Sequence, residues 1–273
     1  MRQSVSLSRF TMMKFVKIIT AACFVSCLIS CLQPKEYTFV QYNVGAFRKY
    51  DSSSIEAVAR VVREMKADAV TFNEVDSCTT RTGKVDQMAA FAGEMGEWNR
   101  YYAAAMPYRG GAYGVGVASR PELEIVRQDR IALPKLDGHE PRAVAVVEYK
   151  DFVLCSTHLD LTLESQLGQV KVINHYIDSL CADCGKPVFL GGDFNCFPDS
   201  EPVALLKETW TLLTPETVSF PSHAPDICID YIFVRPNGRK VTVKETSIPQ
   251  ALQTADLSTA SDHLPVALTV TIE

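Results

Sequence analysis

The chain has 273 residues, of which 47% are apolar, 22% charged and 9% aromatic. That is the composition of a globular protein and excludes a disordered, collagenous or coiled-coil chain. Four of the 27 Lys and Arg residues and none of the 32 Asp and Glu residues precede position 32, so the rest of the chain carries a net charge of −9. So acidic a body argues against a general nucleic-acid-coating surface, which needs clustered cations, although not against a local basic site.

At the N-terminus, Lys14 and Lys17 precede an uncharged apolar run over 18–32. The run is shorter than the roughly 20 residues of a comfortable membrane span and fits the apolar region of a secretory signal. It ends in Leu28-Ile29-Ser30-Cys31, which resembles a bacterial lipobox. Residues 1–30 are therefore expected to be a lipoprotein signal peptide, Cys31 the lipidated new N-terminus, and 31–36 a short tether. This places the protein outside the cytoplasm, as a lipoprotein held on a membrane of the bacterial cell envelope by its lipid anchor. A signal that merely contains cysteines is the alternative.

Past the tether, strands and helices alternate without a break. The apolar segment Tyr37–Asn43 reads as a strand. Ser52-Ser53-Ser54 precede a helix over Ile55–Met65, with apolar residues at 55, 58, 61 and 62. Ala69–Phe72 is a strand and Val85–Met95 a helix. Gly110-Gly111 opens a loop before a strand at Val115–Ser119. Leu123–Ile131, Arg142–Tyr149 and Phe152–Thr157 are strand-like, the last two joined at Lys150-Asp151. A helix over Glu164–Leu180 leads to a strand at Val188–Gly191 and a short helix at Glu201–Lys207. Strands at Ile229–Val234, Lys240–Ile248 and Leu264–Ile272 close the chain around a Pro236-Asn237-Gly238 turn. No repeat or linker interrupts the pattern, so residues 37–273 are expected to form one α/β (α+β) domain with two layers of strands flanked by helices.

Of nine cysteines, Cys23 and Cys27 leave with the signal and Cys31 is the anchor. Cys155 and Cys228 lie in apolar strand-like runs and suit buried free thiols. Cys181 and Cys184 form a lone C-x-x-C with no further ligands at zinc spacing, at the end of a helix rather than its start, which points to a structural or incidental pair.

Polar groups gather where strands end: Asn43, Glu74, His158, Asp193 with Asn195, Asp230, and Asp262-His263. Loops at strand ends are where rigid scaffolds hold reactive groups. Asp230 is the most telling, because a carboxylate inside so apolar a run is costly unless paired.

The order and spacing of Y-N-V-G (42–45), F-N-E-V-D (72–76), S-T-H-L-D (156–160), G-G-D-F-N (191–195), I-D-Y-I-F-V (229–234) and S-D-H-L-P-V (261–266) resemble the endonuclease/exonuclease/phosphatase superfamily. The resemblance covers residues 37 to the C-terminus and implies a four-layer α/β sandwich, two packed mixed sheets covered by helices. It also implies hydrolysis of a phosphoester by an activated water and a divalent metal. Glu74, Asn43 and Asp262 are the implied metal ligands. Such oxygen donors suit Mg²⁺, with Mn²⁺ the alternative. By the same resemblance Asp193 orients or deprotonates the water, Asn195 and His158 hold phosphate oxygens, and His263 bonds the phosphate with Asp230 fixing its tautomer. Arg142, after Glu140-Pro141, matches a position where an arginine approaches the phosphate. Val115 stands where the family often has an asparagine, and Gly45 where several DNA-cleaving members have an aspartate. His139, His175 and His223 match no motif, although the loop around His223 is placed to border the pocket.

The partners expected are a phosphoester substrate and a membrane, with the protein a monomer. Nucleic acid, a phosphoinositide, a sphingolipid head group and a small sugar or nucleotide phosphate are the candidate substrates. The acidic body and the lipoprotein signal count against DNA repair but leave a secreted DNase-like nuclease as an alternative. A non-catalytic surface-binding lipoprotein is the alternative of another class.

Overall fold

The computed structural model describes residues 34–273; the expected signal peptide and Cys31 lie outside them. In chain order the elements are β1 (Lys35–Asn43), α1 (Ile55–Glu64), β2 (Ala69–Ser77), α2 (Gln87–Glu94), β3 (Asn99–Tyr108), β4 (Gly111–Ser119), β5 (Ile125–Leu133), β6 (Arg142–Tyr149), β7 (Val153–His158), α3 (Leu163–Cys184), β8 (Val188–Asp193), α4 (Glu201–Lys207), β9 (Thr211–Leu212), β10 (Asp230–Arg235), β11 (Val241–Ser247), α5 (Leu257–Ala260) and β12 (Val266–Ile272). The strands form two six-stranded sheets, ordered β11-β12-β1-β2-β4-β3 and β5-β6-β7-β8-β10-β9. β1 and β2 run parallel, as do β7 and β8, and each of these pairs is spanned by a helix, as a parallel crossover requires. Hairpin neighbours such as β3–β4 and β5–β6 are antiparallel, so both sheets are mixed.

Three apolar cores separate four layers, giving the sandwich that the sequence motifs implied. α1 and α2 bury Val58, Val62 and Phe91 against Tyr42, Val70 and Phe72 of the first sheet. On the far side, Val170, Ile173 and Ile177 of α3 pack on Cys155, Leu190 and Phe233 of the second. Between the sheets lie Phe39, Ala69, Leu154, Phe189 and Ile232. Strand side chains alternate between faces, so each inner strand feeds both a helix-facing core and the inter-sheet core. That is why these strands are apolar throughout instead of alternating with polar residues. The sheets approach closely at Gly191, where a Cβ would stand 2.5 Å from Thr71 Oγ1.

The elements depart from the sequence reading where local chemistry gave no strand signal. β3 was not foreseen: its alanine run, 103–105, has low strand propensity, and it is a half-exposed edge strand. Arg109-Gly110 is accordingly the tight turn of a β3–β4 hairpin, and β4 begins at Gly111 instead of Val115. β2 continues to Ser77 beyond a bulge between Phe72 and Val75. α3 runs on to Cys184, where Gly185 in the left-handed conformation ends it. Cys155 and Cys228 are buried free thiols, and Cys181 and Cys184 are half-buried and unbridged. Among the described residues no helix is long and apolar enough to cross a membrane.

Glu64, at the end of α1, ties down the loop leading into α5 and the Ser261-Asp262-His263 segment. Its carboxylate accepts the hydroxyl of Thr254 and the backbone N–H groups of Gln253, Thr254 and Ala255. The Thr254 hydroxyl first, then those amides, lower its pKa to about 2. A depressed carboxyl contributes stability above its unfolded pKa and loses it as pH falls through the folded value. Thermal melts of the wild type and Glu64→Gln should therefore differ at pH 7, with the variant lower, and converge as pH falls from about 4.5 to about 2. A gap independent of pH would contradict this role.

Candidate active site

Period-2 alternation explains where the site lies. The inter-sheet faces that carry Phe39, Leu154, Phe189 and Ile232 at one end carry Asn43, His158, Asp193 and Asp230 at the other. Register brings these together: His158 pairs with Asp193 across β7–β8, and Asp193 with Asp230 across β8–β10. In the facing sheet Asn43 pairs with Asn73. A cleft of about 370 Å³ opens over them, lined by Glu74, Arg142, His158, Asp193, Asp262 and His263 among others.

The backbone bends to aim two of these side chains. Asn73 and Glu74 form the bulge of β2, and Glu74 sits in the left-handed conformation at φ 55°. The bulge lets Phe72 and Val75 both face the helix-side core while Glu74 turns to the cleft, a common use of bulges beside functional sites. Asn195 is likewise left-handed, at φ 49°, which asparagine tolerates well. Its N–H donates to Asp193 Oδ1 at 2.9 Å.

Asp230 and His263 form a dyad. His263 Nδ1 lies 2.9 Å from Asp230 Oδ2, which also accepts from Ser219 Oγ at 2.6 Å. Asp230 Oδ1 takes a bond from Gln41 at 3.3 Å, and Gln41 is fixed in turn by Thr71 and Asn73. Phe220 packs on the imidazole, with ring centroids 4.6 Å apart. Burial works against a charge on His263, but Asp230, then Asp193 and Asp262, overcome it and raise its pKa to about 10. Its outer nitrogen, Nε2, lies 3.7 Å from Asp193 Oδ2. Burial, and next the charge of Asp230, push the Asp193 carboxyl well above its ordinary range.

His158 is the opposite case. Arg142, 5% exposed at the start of β6, places Nη1 3.2 Å from His158 Nδ1. An arginine only donates, so Nδ1 accepts and Nε2 carries the hydrogen. Burial first, then the charges of Arg142 and His263, push the ring well below its usual pKa, leaving it a neutral donor. Its Nε2 lies 3.7 Å from Asp193 Oδ2 and 3.0 Å from Asn195 Nδ2. Asn195 Nδ2 gives one N–H to the Leu159 carbonyl at 3.0 Å, and its other N–H beside Nε2–H of His158 makes a seat for an oxygen with free lone pairs. Arg142, expected to approach the phosphate, lines the cleft, and its contacts within the protein are His158, whose tautomer it fixes, and Glu140, 3.3 Å from the same Nη1.

Asn43 Nδ2 bridges Glu74 Oε1 at 3.1 Å and Asp193 Oδ2 at 3.0 Å, while its Oδ1 accepts from Gly45 N. Burial raises the Glu74 pKa, and the neighbouring charge of Asp262 adds to it. Asp262 is exposed at the mouth, and a Cβ on Gly45 would stand 3.2 Å from its Oδ1. Every expected site residue among those described thus meets at this one end of the inter-sheet layer. His139, His175 and His223 are exposed and stay outside the cleft lining; the loop around His223 contributes Phe220 instead. The sequence reading missed Gln41, Asn73, Ser219, Arg81 and Tyr108. Only Gln41 and Asn73 carried a signal, as polar residues at inward positions of apolar strands.

The profile of the Endonuclease/Exonuclease/phosphatase family matches residues 40–263. No curated protein matches the sequence. Among solved structures, an endonuclease/exonuclease/phosphatase from Bacteroides vulgatus is similar, with a TM-score of 0.73 and 19% identity over 88% of this chain and 100% of that one. A mannosyl-6-phosphatase of Bacteroides thetaiotaomicron VPI-5482 gives 0.69 at 16% identity, over 86% and 99% of the two chains. ANGEL2, a 2′,3′-cyclic phosphatase, gives 0.66 at 13%, over 88% and 96%. At these identities the likeness is one of fold.

The histidine states are testable by NMR of ring-labelled protein. At pH 6 His158 should appear neutral with hydrogen on Nε2, and Arg142→Gln should release Nδ1 and mix the tautomers. A charged His158 at that pH, or a tautomer indifferent to the substitution, would contradict the geometry.

Proposed function

The chain belongs to the endonuclease/exonuclease/phosphatase family, whose members are generally hydrolases of phosphoester bonds, and from that premise we propose that it is a divalent-metal-dependent phosphoester hydrolase that attacks phosphorus with a water molecule. The observation that carries the reading is one buried carboxylate, Asp193, set 3.7 Å from the outer nitrogens of two histidines in opposite charge states. The mannosyl-6-phosphatase and the cyclic phosphatase among the structural neighbours support it.

The donor set suits a hard cation. Glu74 and Asp262 are carboxylates beside each other at the cleft, and burial of Glu74 leaves its charge in want of a counter-ion. Asn43 adds a carbonyl oxygen once its amide turns over, because its nitrogen now faces Glu74. Asp193, Asp230 and His263 also bring ligand atoms within 4.8 Å of one another. That trio is the poorer site, since Asp230 already accepts from His263, Ser219 and Gln41. Glu74, Asp262 and Asn43 are therefore the residues to hold Mg²⁺ or Mn²⁺. Bound there, such an ion supplies neutralisation of phosphate charge and of the departing oxygen.

The chain's own residues supply the rest. Nε2–H of His263 and Nε2–H of His158 donate to two phosphate oxygens, and Asn195 Nδ2 supports the second. Asp193 Oδ2 accepts a proton from the water, a role its raised pKa suits near neutrality. The water oxygen bonds to phosphorus as the bond to the alcohol oxygen breaks, and the alcohol oxygen leaves with the electron pair. His263, charged and held by Asp230, stabilises the charge that builds on the phosphoryl oxygens.

Nitrophenol release from nitrophenyl phosphate and bis-nitrophenyl phosphate is the assay. Turnover should require Mg²⁺ or Mn²⁺, stop in EDTA, return on adding the metal, and fall by about 10²-fold or more in Glu74→Ala. Full turnover in excess EDTA would sink the proposal.

A further inference from the structure

One wall of the cleft is built around an arginine that the hydrolytic groups do not use. Asp76, two residues after Glu74 in β2, is wholly buried. It holds Arg81 by a fork, Nε to Oδ2 at 2.7 Å and Nη2 to Oδ1 at 2.8 Å, and also takes the hydroxyl of Thr79 at 2.7 Å. The guanidinium is laid over Tyr108, 4.6 Å from its ring centroid, and lies 5.7 Å from that of Tyr113. Arg81 is therefore fixed in position, yet its side chain keeps 21% of its surface exposed and lines the same cleft as Glu74 and both histidines. Among the described residues its remaining nitrogen, Nη1, with two N–H groups, has no acceptor.

We propose that Arg81, clamped by Asp76 and laid over Tyr108, is the leaving-group subsite of this cleft, and that it selects a neutral polyhydroxylated group, making the substrate a sugar or polyol phosphate. The proposal rests on the phosphoester reading for the position of the phosphate, but the subsite is argued from its own chemistry. A buried carboxylate bound edge-on cancels the charge of Arg81, so what remains is a directed pair of N–H donors with little net attraction for a second anion. Glu140 lines the same cleft with its side chain 41% exposed, but Arg142 pairs with it at 3.3 Å, so it too adds little net charge. An alcohol oxygen accepts from Nη1–H and avoids the desolvation cost of an anion brought to a site with little net charge. Met106, Leu161 and Phe220 complete the wall with apolar surface suited to the C–H faces of a sugar ring. The volume, about 370 Å³, lies at the low end of small-ligand pockets.

Binding and turnover test this separately. Calorimetry in EDTA compares hexose 6-phosphate, hexyl phosphate, which lacks the hydroxyls, and hexose 1,6-bisphosphate; kcat/KM for the same three is then measured in Mg²⁺. Wild type should favour hexose 6-phosphate over hexyl phosphate by about 10- to 100-fold, the effect of one or two hydrogen bonds to a charged group. It should not favour the bisphosphate. Because Arg81→Met alone would strand a buried charge, the variant is Asp76→Asn with Arg81→Met, and its preference should shrink to within about threefold. Equal wild-type binding of hexose and hexyl phosphates would overturn the proposal whether or not the variant folds. So would preference for the bisphosphate, or a sugar preference that survives in a folded variant. Sugar-selective binding with no ester hydrolysed would retain the subsite and sink the hydrolase reading. Nitrophenyl phosphate turnover without sugar selectivity would do the reverse.

Discussion

Asp193 and Asp230 stand in direct register on neighbouring strands, both almost wholly buried. Two ionised carboxylates so placed repel each other in a medium that screens them poorly, and neither has bulk water to turn to. The arrangement holds because His263 puts one ring nitrogen 2.9 Å from Asp230 and the other 3.7 Å from Asp193. Ser219 shares Asp230 Oδ2 with His263 and Gln41 donates to Oδ1, so this carboxylate is committed to holding the ring. Asp193 accepts from Asn195 N and Asn43 Nδ2 and also presents Oδ2 to two imidazole nitrogens at the cleft, where it can exchange a proton. The division of labour between two identical side chains follows from where they lie: Asp193 lines the cleft, and Asp230 sits behind His263.

The same contrast runs through the histidines. His263 gains a carboxylate partner and is charged; His158 gains a guanidinium and is neutral. Both nevertheless present Nε2–H to the cleft, because in each ring Nδ1 is occupied from behind. The positioning groups stand on strands of one sheet, Asp230 on β10 beside Asp193 of β8 and Arg142 on β6 beside β7, which carries His158, so strand register sets the spacing of the site.

Much of this was legible in the sequence because it is written in strand ends. Asp193, Asp230 and His158 each close or open a run of apolar residues, and alternation alone places each on the inward face. Glu74 was legible as a strand-end and motif residue, but its direction was not: in an unbroken strand it would face α1, and the bulge that redirects it leaves no mark in composition. β3 was hidden because alanine carries little strand signal, and with it went Tyr108 and the wall of the cleft. Arg81 was invisible for a different reason. Its partner Asp76 closes the F-N-E-V-D motif, but nothing in the sequence ties it to Arg81, and only the fold shows the buried pair. Arg142 was found by its position, but its hold on His158 was not, since sequence does not reveal that His158 lies within its reach.

The central physical claim is that a charged imidazole is held between two buried carboxylates, and the most direct test is the titration of His263 followed by ring-nitrogen NMR in the metal-free protein. The ring should remain doubly protonated at pH 8 and titrate near pH 10, and Asp230→Asn should bring it down toward or below the ordinary value of 6.5. A His263 that is neutral at pH 8 in the wild type, or one whose titration ignores the loss of Asp230, would contradict the account.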